Sequence, residues 1–323
     1  MTVIAVCNHK GGTGKTTSVI HIAAALGMSG RRTLVVDLDP QSFLTRMLGV
    51  EEPKEEHSSV ALFSHDVCLR EVPVVPVRNF DLLPSSSLLT KHMRRLNKPT
   101  DVFWAREALR DGVDYDFIIF DTAAAVTVYS LNALVASDFV LIPVTPEYQP
   151  VLGAEQTFQT VELVRERLNP DLSSPAFLFT QVDARKNSHH MFRRYMRGKY
   201  GGQVMRAIIR TSSALAETKS DGSTVFENDP YSRGARDYAN ATDELLTLMN
   251  PDLARSRPES PHDDAFVSVN GESHEIEAIG RGGGGELSEE EAEYLRSLQA
   301  HAHGPLRGEA VNTFWQPIRE FGP

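Results

Sequence analysis

Cysteine is scarce in this 323-residue sequence: there are two, Cys7 and Cys68, and neither stands at metal-ligand spacing from another ligand-type residue. A disulfide framework and a cysteine-held cluster are therefore excluded, and a reducing, cytoplasmic setting is expected. Cys7 lies inside an apolar run and reads as a small buried hydrophobe. No run of about 18 apolar residues occurs, so no membrane-spanning helix is expected. The first residues enter an apolar strand rather than a signal peptide. Positive charge is in deficit, with a formal net charge of −10, which argues against a surface that coats nucleic acid generally. The deficit is uneven: from residue 251 onward 14 acidic residues face 6 basic ones, which places about −8 of the −10 there. The preceding body is close to neutral, and local basic patches are possible in it. The length suits one large α/β domain with an appendage, or two small domains.

What is present is concentrated at the front. Val3-Ile4-Ala5-Val6-Cys7 is an unbroken apolar run, followed by Asn8-His9-Lys10-Gly11-Gly12-Thr13-Gly14-Lys15-Thr16-Thr17 and then an apolar-periodic stretch through Ala25. Strand, glycine loop and helix form the setting in which backbone N–H groups and a helix N-terminus cradle phosphates. The glycines let the backbone approach phosphate oxygens with no Cβ in the way. In that setting Lys15 reaches the β- and γ-phosphates and the Thr16 hydroxyl sits on Mg²⁺. A second buried strand, Arg32-Thr33-Leu34-Val35-Val36, ends in Asp37-Leu38-Asp39-Pro40-Gln41. Two carboxylates at the C-terminal end of a strand suit metal and water chemistry, because ligands of open α/β sheets bind at that edge. An Asp-Pro turn that caps a helix is the alternative for Asp39. Asp116-Phe117-Ile118-Ile119-Phe120-Asp121-Thr122 is a third buried strand that delivers a carboxylate to the same edge.

The loop departs from the common phosphate-loop pattern, which wants glycine where this chain has His9, and it carries a second lysine, Lys10. It resembles the deviant Walker A loop of the ParA/MinD family of ATPases. The resemblance implies that Lys10 reaches across a nucleotide-sandwich dimer to the partner's phosphates, and that ATP and Mg²⁺ are the cofactors. It makes residues 10–17 (Lys10, Gly11, Gly12, Thr13, Gly14, Lys15, Thr16 and Thr17) the nucleotide-binding loop. It further implies that Asp39 orients the attacking water, that Asp37 holds Mg²⁺ through a bound water, and that Asp121 stands on the Mg²⁺ side as Walker B. Two departures stand out. Family members usually carry two prolines after the Walker B strand, where this chain has Ala123-Ala124-Ala125, a less rigid segment. They also tend to show Pro-Arg-Asn where the adenine is held, where this chain has Arg210-Thr211-Ser212.

Further buried strands are expected at 139–144 and 176–183, with a Pro-x-x-Pro-Glu turn at Pro143 to Glu147 and a helix through about Leu168. A short strand is expected at 81–83 and another at 206–210. Residues 72–77 are apolar but interrupted by Pro73 and Pro76 and receive no strand. Strands alternating with helices argue for an α/β fold: a doubly wound, mostly parallel sheet with helices on both faces, as in P-loop NTPases. Residues 1–250 would form this ATPase domain.

A helix is expected within 183–200, with Met191, Phe192, Tyr195 and Met196 on an apolar stripe. Lys186, Arg193, Arg194, Arg197 and Lys199 then offer sequence-independent phosphate contacts to DNA, with a solvated face as the alternative. Arg233 and Arg236, ahead of a last helix to about Met249, are further candidates, and the resemblance implies non-specific DNA binding by this region. His189 and His190 read as surface residues. A small helix is expected at 212–219. Residues 251–323 form an acidic, glycine-rich, flexible tail by composition, with a capping-box start at Ser288 and a helix near 288–299. A small aromatic cluster follows at Phe314 and Trp315.

Together these readings imply a ParA-type ATPase. It would form a homodimer on ATP–Mg²⁺, bind DNA non-specifically and hydrolyse ATP when stimulated by a ParB-like or cargo-adaptor partner, so as to partition or position DNA or another cargo. A membrane-cycling MinD-like ATPase lacks its basic amphipathic C-terminus here, and no membrane partner is expected. A non-hydrolysing, nucleotide-gated scaffold remains the alternative from a different class, with Asp39 against it.

Overall fold

The computed structural model describes residues 1–64, 67–216 and 222–250. The expectations for 251–323, including the helix near 288–299 and the aromatic cluster, lie outside these residues, as does the far end of the small helix expected at 212–219.

Eight strands form one sheet: β1 (Thr2–Val6), β2 (Thr33–Asp37), β3 (Val75–Val77), β4 (Phe80–Leu83), β5 (Phe117–Asp121), β6 (Phe139–Val144), β7 (Ala176–Val182) and β8 (Val204–Arg210). Their order is β3-β4-β2-β5-β1-β6-β7-β8. Every pairing is parallel except β3 with β4. The central strands are buried on both faces, which is why they read as apolar runs rather than as alternating patterns. Side chains of successive residues enter opposite layers: Val3 and Ala5 join one core, Ile4 and Val6 the other.

β3 lies where Pro73 and Pro76 interrupt the apolar run and no strand is expected. It pairs only with β4, with Pro76 opposite Asp81. An edge strand has one side without ladder partners, so a proline lacking its N–H is tolerated there.

Ten α-helices are present among the described residues: α1 (Lys15–Met28), α2 (Phe43–Met47), α3 (Leu88–His92), α4 (Trp104–Ala108), α5 (Val128–Ala136), α6 (Tyr148–Arg167), α7 (Asn187–Tyr200), α8 (Ser213–Ala216), α9 (Val225–Asn228) and α10 (Arg233–Met249). One layer packs α1 and α10 through Val19, Ile20, Ala23, Tyr238, Ala241 and Leu245. The other layer carries α3 to α7, with Leu89, Ala105, Tyr129, Val161 and Met196 in its core. Helices thus cover both faces. No described helix is long and apolar enough to cross a membrane.

His21 joins α1 to the C-terminal helices. It is fully buried and stacks on Tyr238 with ring centroids 4.9 Å apart. Its Nδ1–H donates to the Thr17 carbonyl at 2.8 Å, and Nε2 accepts from Val225 N at 3.2 Å. Both nitrogens are thus satisfied only in the neutral ring, and burial lowers its pKa from 6.5 to about 4. Between these values the unfolded chain binds a proton that the native state refuses, so stability falls as pH drops below 6.5 and nothing changes above it. Relative to His21→Gln, the wild type is expected to lose about 3 kcal/mol between pH 7 and pH 4. Urea titrations of both proteins at several pH values check this; a pH-independent gap would show that His21 does not refuse the proton.

Candidate active site

The loop after β1 is held from several directions. Cys7 N extends the sheet pairing to Leu141 O at 3.1 Å. Asn8, fully buried, donates from Nδ2 to Pro143 O at 2.8 Å and accepts Lys10 N on Oδ1 at 2.9 Å. His9 N donates to Thr157 Oγ1 of α6. From the end of β7, Thr180 Oγ1 donates to Thr13 O at 2.8 Å and Gln181 Nε2 to Gly12 O at 2.6 Å. These bonds take up carbonyls of the loop. Gly12 and Gly14 adopt φ of +76° and +80°, which a side chain would resist. On α6, a Cβ at Gly153 would come within 2.9 Å of Lys10 Cβ, so the helix backs directly onto the loop.

The two lysines differ in setting. Lys15 is buried, and its Nζ donates to Lys10 O at 3.1 Å, a bond that a phosphate oxygen could replace. Burial lowers its pKa, while Asp121, Cys7 and Asp39 act to raise it. Lys10 is exposed on the outer side of the loop. Burial also pushes the Cys7 thiol up to about 12, so Cys7 stays protonated and inert.

Register assembles the carboxylates. Asp37 and Asp121 are paired on adjacent strands β2 and β5, both fully buried. Asp121 Oδ2 accepts the Thr16 hydroxyl at 2.8 Å, whereas Asp121 Oδ1 is buried with no hydrogen-bond partner. Burial, and then the Asp37 charge, raises Asp121 well above the usual carboxylate range; burial raises Asp37 to about 6. An orphaned carboxylate oxygen beside a hydroxyl and a second buried carboxylate fits a hydrated Mg²⁺. That ion keeps several waters and takes one or two carboxylates plus phosphates rather than a full protein cage. Accordingly, no group of three or more His, Cys, Asp or Glu side chains suited to a metal occurs among the described residues.

Asp37 does a second job. Its Oδ1 accepts Asp39 N at 3.0 Å, and Oδ2 accepts both Thr45 N and Thr45 Oγ1. Thr45 Oγ1 in turn accepts Ser85 N, and Ser85 Oγ donates to Asp39 O at 2.7 Å. The Asp39 turn is therefore clamped by β4 as well as by β2. Asp39 Oδ1 accepts Gln41 N, while the N-cap of α2 is Ser42, so Asp39 is not the cap of that helix. Ser42 has φ +52°, an uncommon value for a residue with a side chain, right behind the reactive turn. On the other side of the loop, Ala124 lies against Gly11, with an added Cβ there 3.9 Å away. The Ala123 to Ala125 segment is anchored by Ser130 Oγ, which donates to Ala125 O at 3.2 Å.

A cleft of about 430 Å³ opens beside Lys10, Gly11 and Gly12 and is lined by Glu147, Gln181, His189 and Thr211. His189 was expected at the surface and is instead 2% exposed. Its Nδ1 accepts Asp183 N at 3.1 Å, and Nε2 lies 3.6 Å from Glu147 Oε1. The apolar neighbours of α7 carry it inward, since it falls on the same helical side as Phe192 and Met196. His190 is exposed as expected. Arg210 is tied to the buried Asp237 by its Nε at 2.9 Å, leaving Thr211 of that segment at the cleft.

The candidate DNA contacts are distributed over both layers. Arg194, Arg197, Arg233 and Arg236 are exposed, but α7 and α10 pack on opposite faces of the sheet. Lys199 donates to Glu155 at 2.7 Å, Lys186 lies 3.6 Å from Glu147, and Arg193 is half-buried.

A phosphate loop after the first of a set of parallel strands, a threonine on a buried strand-end aspartate, and a second aspartate level with it define a P-loop nucleoside triphosphatase. A family model described as an AAA domain matches residues 1–174, more than half of the chain. The chromosome partitioning protein ParA of Myxococcus xanthus is 34% identical over 258 residues, 79% of this chain and 91% of that protein. The chromosome-partitioning ATPase Soj of Thermus thermophilus is 36% identical over 76% of this chain and 96% of its own length. Among solved structures, cobyrinic acid a,c-diamide synthase from Mycobacterium smegmatis with bound ADP and magnesium superposes with a TM-score of 0.65 at 30% identity, covering 76% of this chain and 95% of that one. The chain belongs to the ParA/MinD superfamily of ATP-hydrolysing P-loop ATPases and is closely related to its ParA/Soj members.

Proposed function

We propose that the chain is a ParA-type positioning ATPase: ATP and Mg²⁺ pair two copies, the pair holds DNA without regard to sequence, and hydrolysis stimulated by an adaptor protein releases it. The cargo is chromosomal or plasmid DNA, or another assembly carried on DNA. Residues 1–250 form the ATPase unit and 251–323 an appendage to it. The observation that carries the reading is the register that sets Asp37 and Asp121 side by side at the end of β2 and β5, with Thr16 on Asp121 and the Asp39 turn hung from Asp37.

In this reading the N–H groups of residues 10–17 and Lys15 hold the phosphates, while Lys10, exposed on the loop, serves the partner's nucleotide. Thr16 and Asp121 would hold Mg²⁺, and Asp37 would contribute through water while keeping the Asp39 turn in place. Bound there, Mg²⁺ would supply positive charge that offsets the negative charge of the phosphates. Asp39 orients the attacking water, and Lys15 and the loop N–H groups stabilise charge on the transferred phosphoryl group. Arg194, Arg197, Arg233 and Arg236, with Lys186, Arg193 and Lys199, supply phosphate contacts to DNA.

The test is binding of a labelled duplex with ATP–Mg²⁺, with ADP and without nucleotide, at two salt concentrations, for wild type and Asp39→Ala. Binding is expected only with ATP–Mg²⁺ and to weaken steeply with salt. In Asp39→Ala it should persist while phosphate release falls by about 10²-fold or more. Absence of DNA binding in every nucleotide state overturns the reading.

A further inference from the structure

The chain carries a second cationic element that neither α7 nor α10 includes. Lys91, Arg94, Arg95 and Lys98 follow β4 at intervals of three, one and three residues, and all four are exposed. Leu89, Met93 and Leu96 on the other side of the same segment pack into the core layer. Lys91 stands in the five-residue α3, and Arg94, Arg95 and Lys98 lie in the turn and connecting residues that follow it, so the exposed cations are close along the chain while the apolar residues between them pack inward. No aspartate or glutamate occurs between Asp81 and Asp101.

The carboxylates that approach from neighbouring elements are mostly engaged. Glu52 accepts Ser86 Oγ and Ser87 N at 2.7 Å each, and Asp101 accepts Lys98 N and Trp104 Nε1. Glu55 faces His92. Lys91, Arg95 and Lys98 enter no ion pair among the described residues, in contrast to Lys199 on α7, which is held by Glu155.

This segment is also bonded to both sides of the nucleotide site. Ser85, three residues before α3, donates to Asp39 O at 2.7 Å. Within α3, Leu89 O accepts the hydroxyl of the fully buried Tyr129 at 2.7 Å. Tyr129 is the second residue of α5, whose first turn anchors Ala125 through Ser130. The Asp39 turn is thus one hydrogen bond from Ser85, just before α3, and the 123–125 segment is linked to Leu89 of α3 by way of Ser130 and Tyr129 of α5. A solvated face without such links would have no reason to respond to nucleotide.

We propose that residues 91–98 form a contact surface for the phosphate backbone of duplex DNA, coupled to the nucleotide through Ser85 and Tyr129. The proposal rests on the DNA-binding reading above and adds to its α7 and α10 contacts a further, separate contact element. Phosphates are the partner chemistry that a compact set of mixed Arg and Lys, without carboxylates between them, fits irrespective of base sequence.

The experiment uses the full chain and a triple variant, Lys91→Glu, Arg95→Glu, Lys98→Glu, with Arg94 left in place. Binding of two unrelated labelled duplexes is measured with ATP–Mg²⁺ across a salt series, with nucleotide affinity as the folding control and a Lys91→Arg, Lys98→Arg variant as the charge-conserving arm. The triple variant should lose DNA affinity by about tenfold or more on both duplexes and show a log–log salt slope shallower by about 2–3. Nucleotide affinity should be unchanged, and the charge-conserving variant should bind as wild type does. Wild-type affinity and slope in the triple variant, with the wild type itself binding DNA, overturn the proposal and leave the DNA-binding reading standing. A wild type that binds no DNA overturns both.

Discussion

Asp121→Asn is expected to remove magnesium-dependent nucleotide binding and to make the nucleotide-free protein more stable. The two effects have one cause. Asp121 is buried beside Asp37 with one oxygen on Thr16 and the other on nothing, and burial and Asp37 together raise its pKa well above 3.8. A folded-state pKa above the unfolded one means that the native state holds a proton the unfolded chain has lost. Stability from this group is complete at low pH and declines as pH rises through the folded value. Above the unfolded value the buried carboxyl therefore costs stability, and a bound cation would offset that cost. An amide keeps the acceptor for Thr16 and carries no charge. Its gain in the nucleotide-free state is expected to be on the order of 1–2 kcal/mol, growing with pH. If Asp121 holds Mg²⁺ as proposed above, losing its carboxylate should lower hydrolysis by roughly 10³-fold, the rate equivalent of several kcal/mol of charge stabilisation. Thermal melts from pH 6 to 8 with and without Mg²⁺–nucleotide, together with steady-state hydrolysis, check both. A variant that melts below the wild type and keeps its magnesium response would contradict the argument.

Gly27→Ala is expected to be among the most damaging single-methyl additions in the fold. A Cβ on Gly27 would lie 1.7 Å from Asn79 O and 2.7 Å from Asn79 C, both backbone atoms between β3 and β4. No rotamer relieves such a clash, so either the C-terminal turn of α1 or the β3–β4 connection must move. The expected loss is roughly 3 kcal/mol or more, at the upper end of overpacking. Because β4 leads to Ser85 and so to Asp39, hydrolysis should fall along with stability. Gly198→Ala in α7 is the control: nothing lies within 4 Å of its Cβ position. There the better helix propensity should raise stability by up to about 1 kcal/mol. Denaturant midpoints of the two variants and the wild type decide it; a Gly27→Ala protein within experimental error of wild type would show that the turn yields freely.

Much of the site is visible in the chain itself because it is local. Lys15 and Thr16 follow a glycine loop behind an apolar strand, and Asp37 and Asp121 end apolar runs, so their places at one sheet edge follow from parallel strands alone. The supporting residues are different. Asn8, Thr157, Thr180, Gln181, Thr45 and Ser85 are ordinary polar residues whose role depends on partners far along the chain, up to 169 residues away for Gln181 and Gly12. The one usable signal was position: Thr180 and Gln181 lie at the end of a strand that must reach the ligand-binding edge. His189 reads as a surface residue because no other ligand-type residue stands at useful spacing from it, whereas helical phase, set by Phe192 and Met196, turns it inward.

The sequence by itself determined the phosphate loop, the family resemblance that the comparisons bear out, and a mostly parallel α/β sheet, since each is written in short contiguous patterns that report burial and backbone freedom. Only the tertiary structure decided the strand order and β3 at the edge, and the separation of α7 from α10 on opposite faces. It also decided the two hydrogen-bonded links that tie residues 85–98 to the nucleotide site. These depend on which distant segments pack together, and side-chain hydrogen bonds between buried groups leave no periodic trace in the sequence.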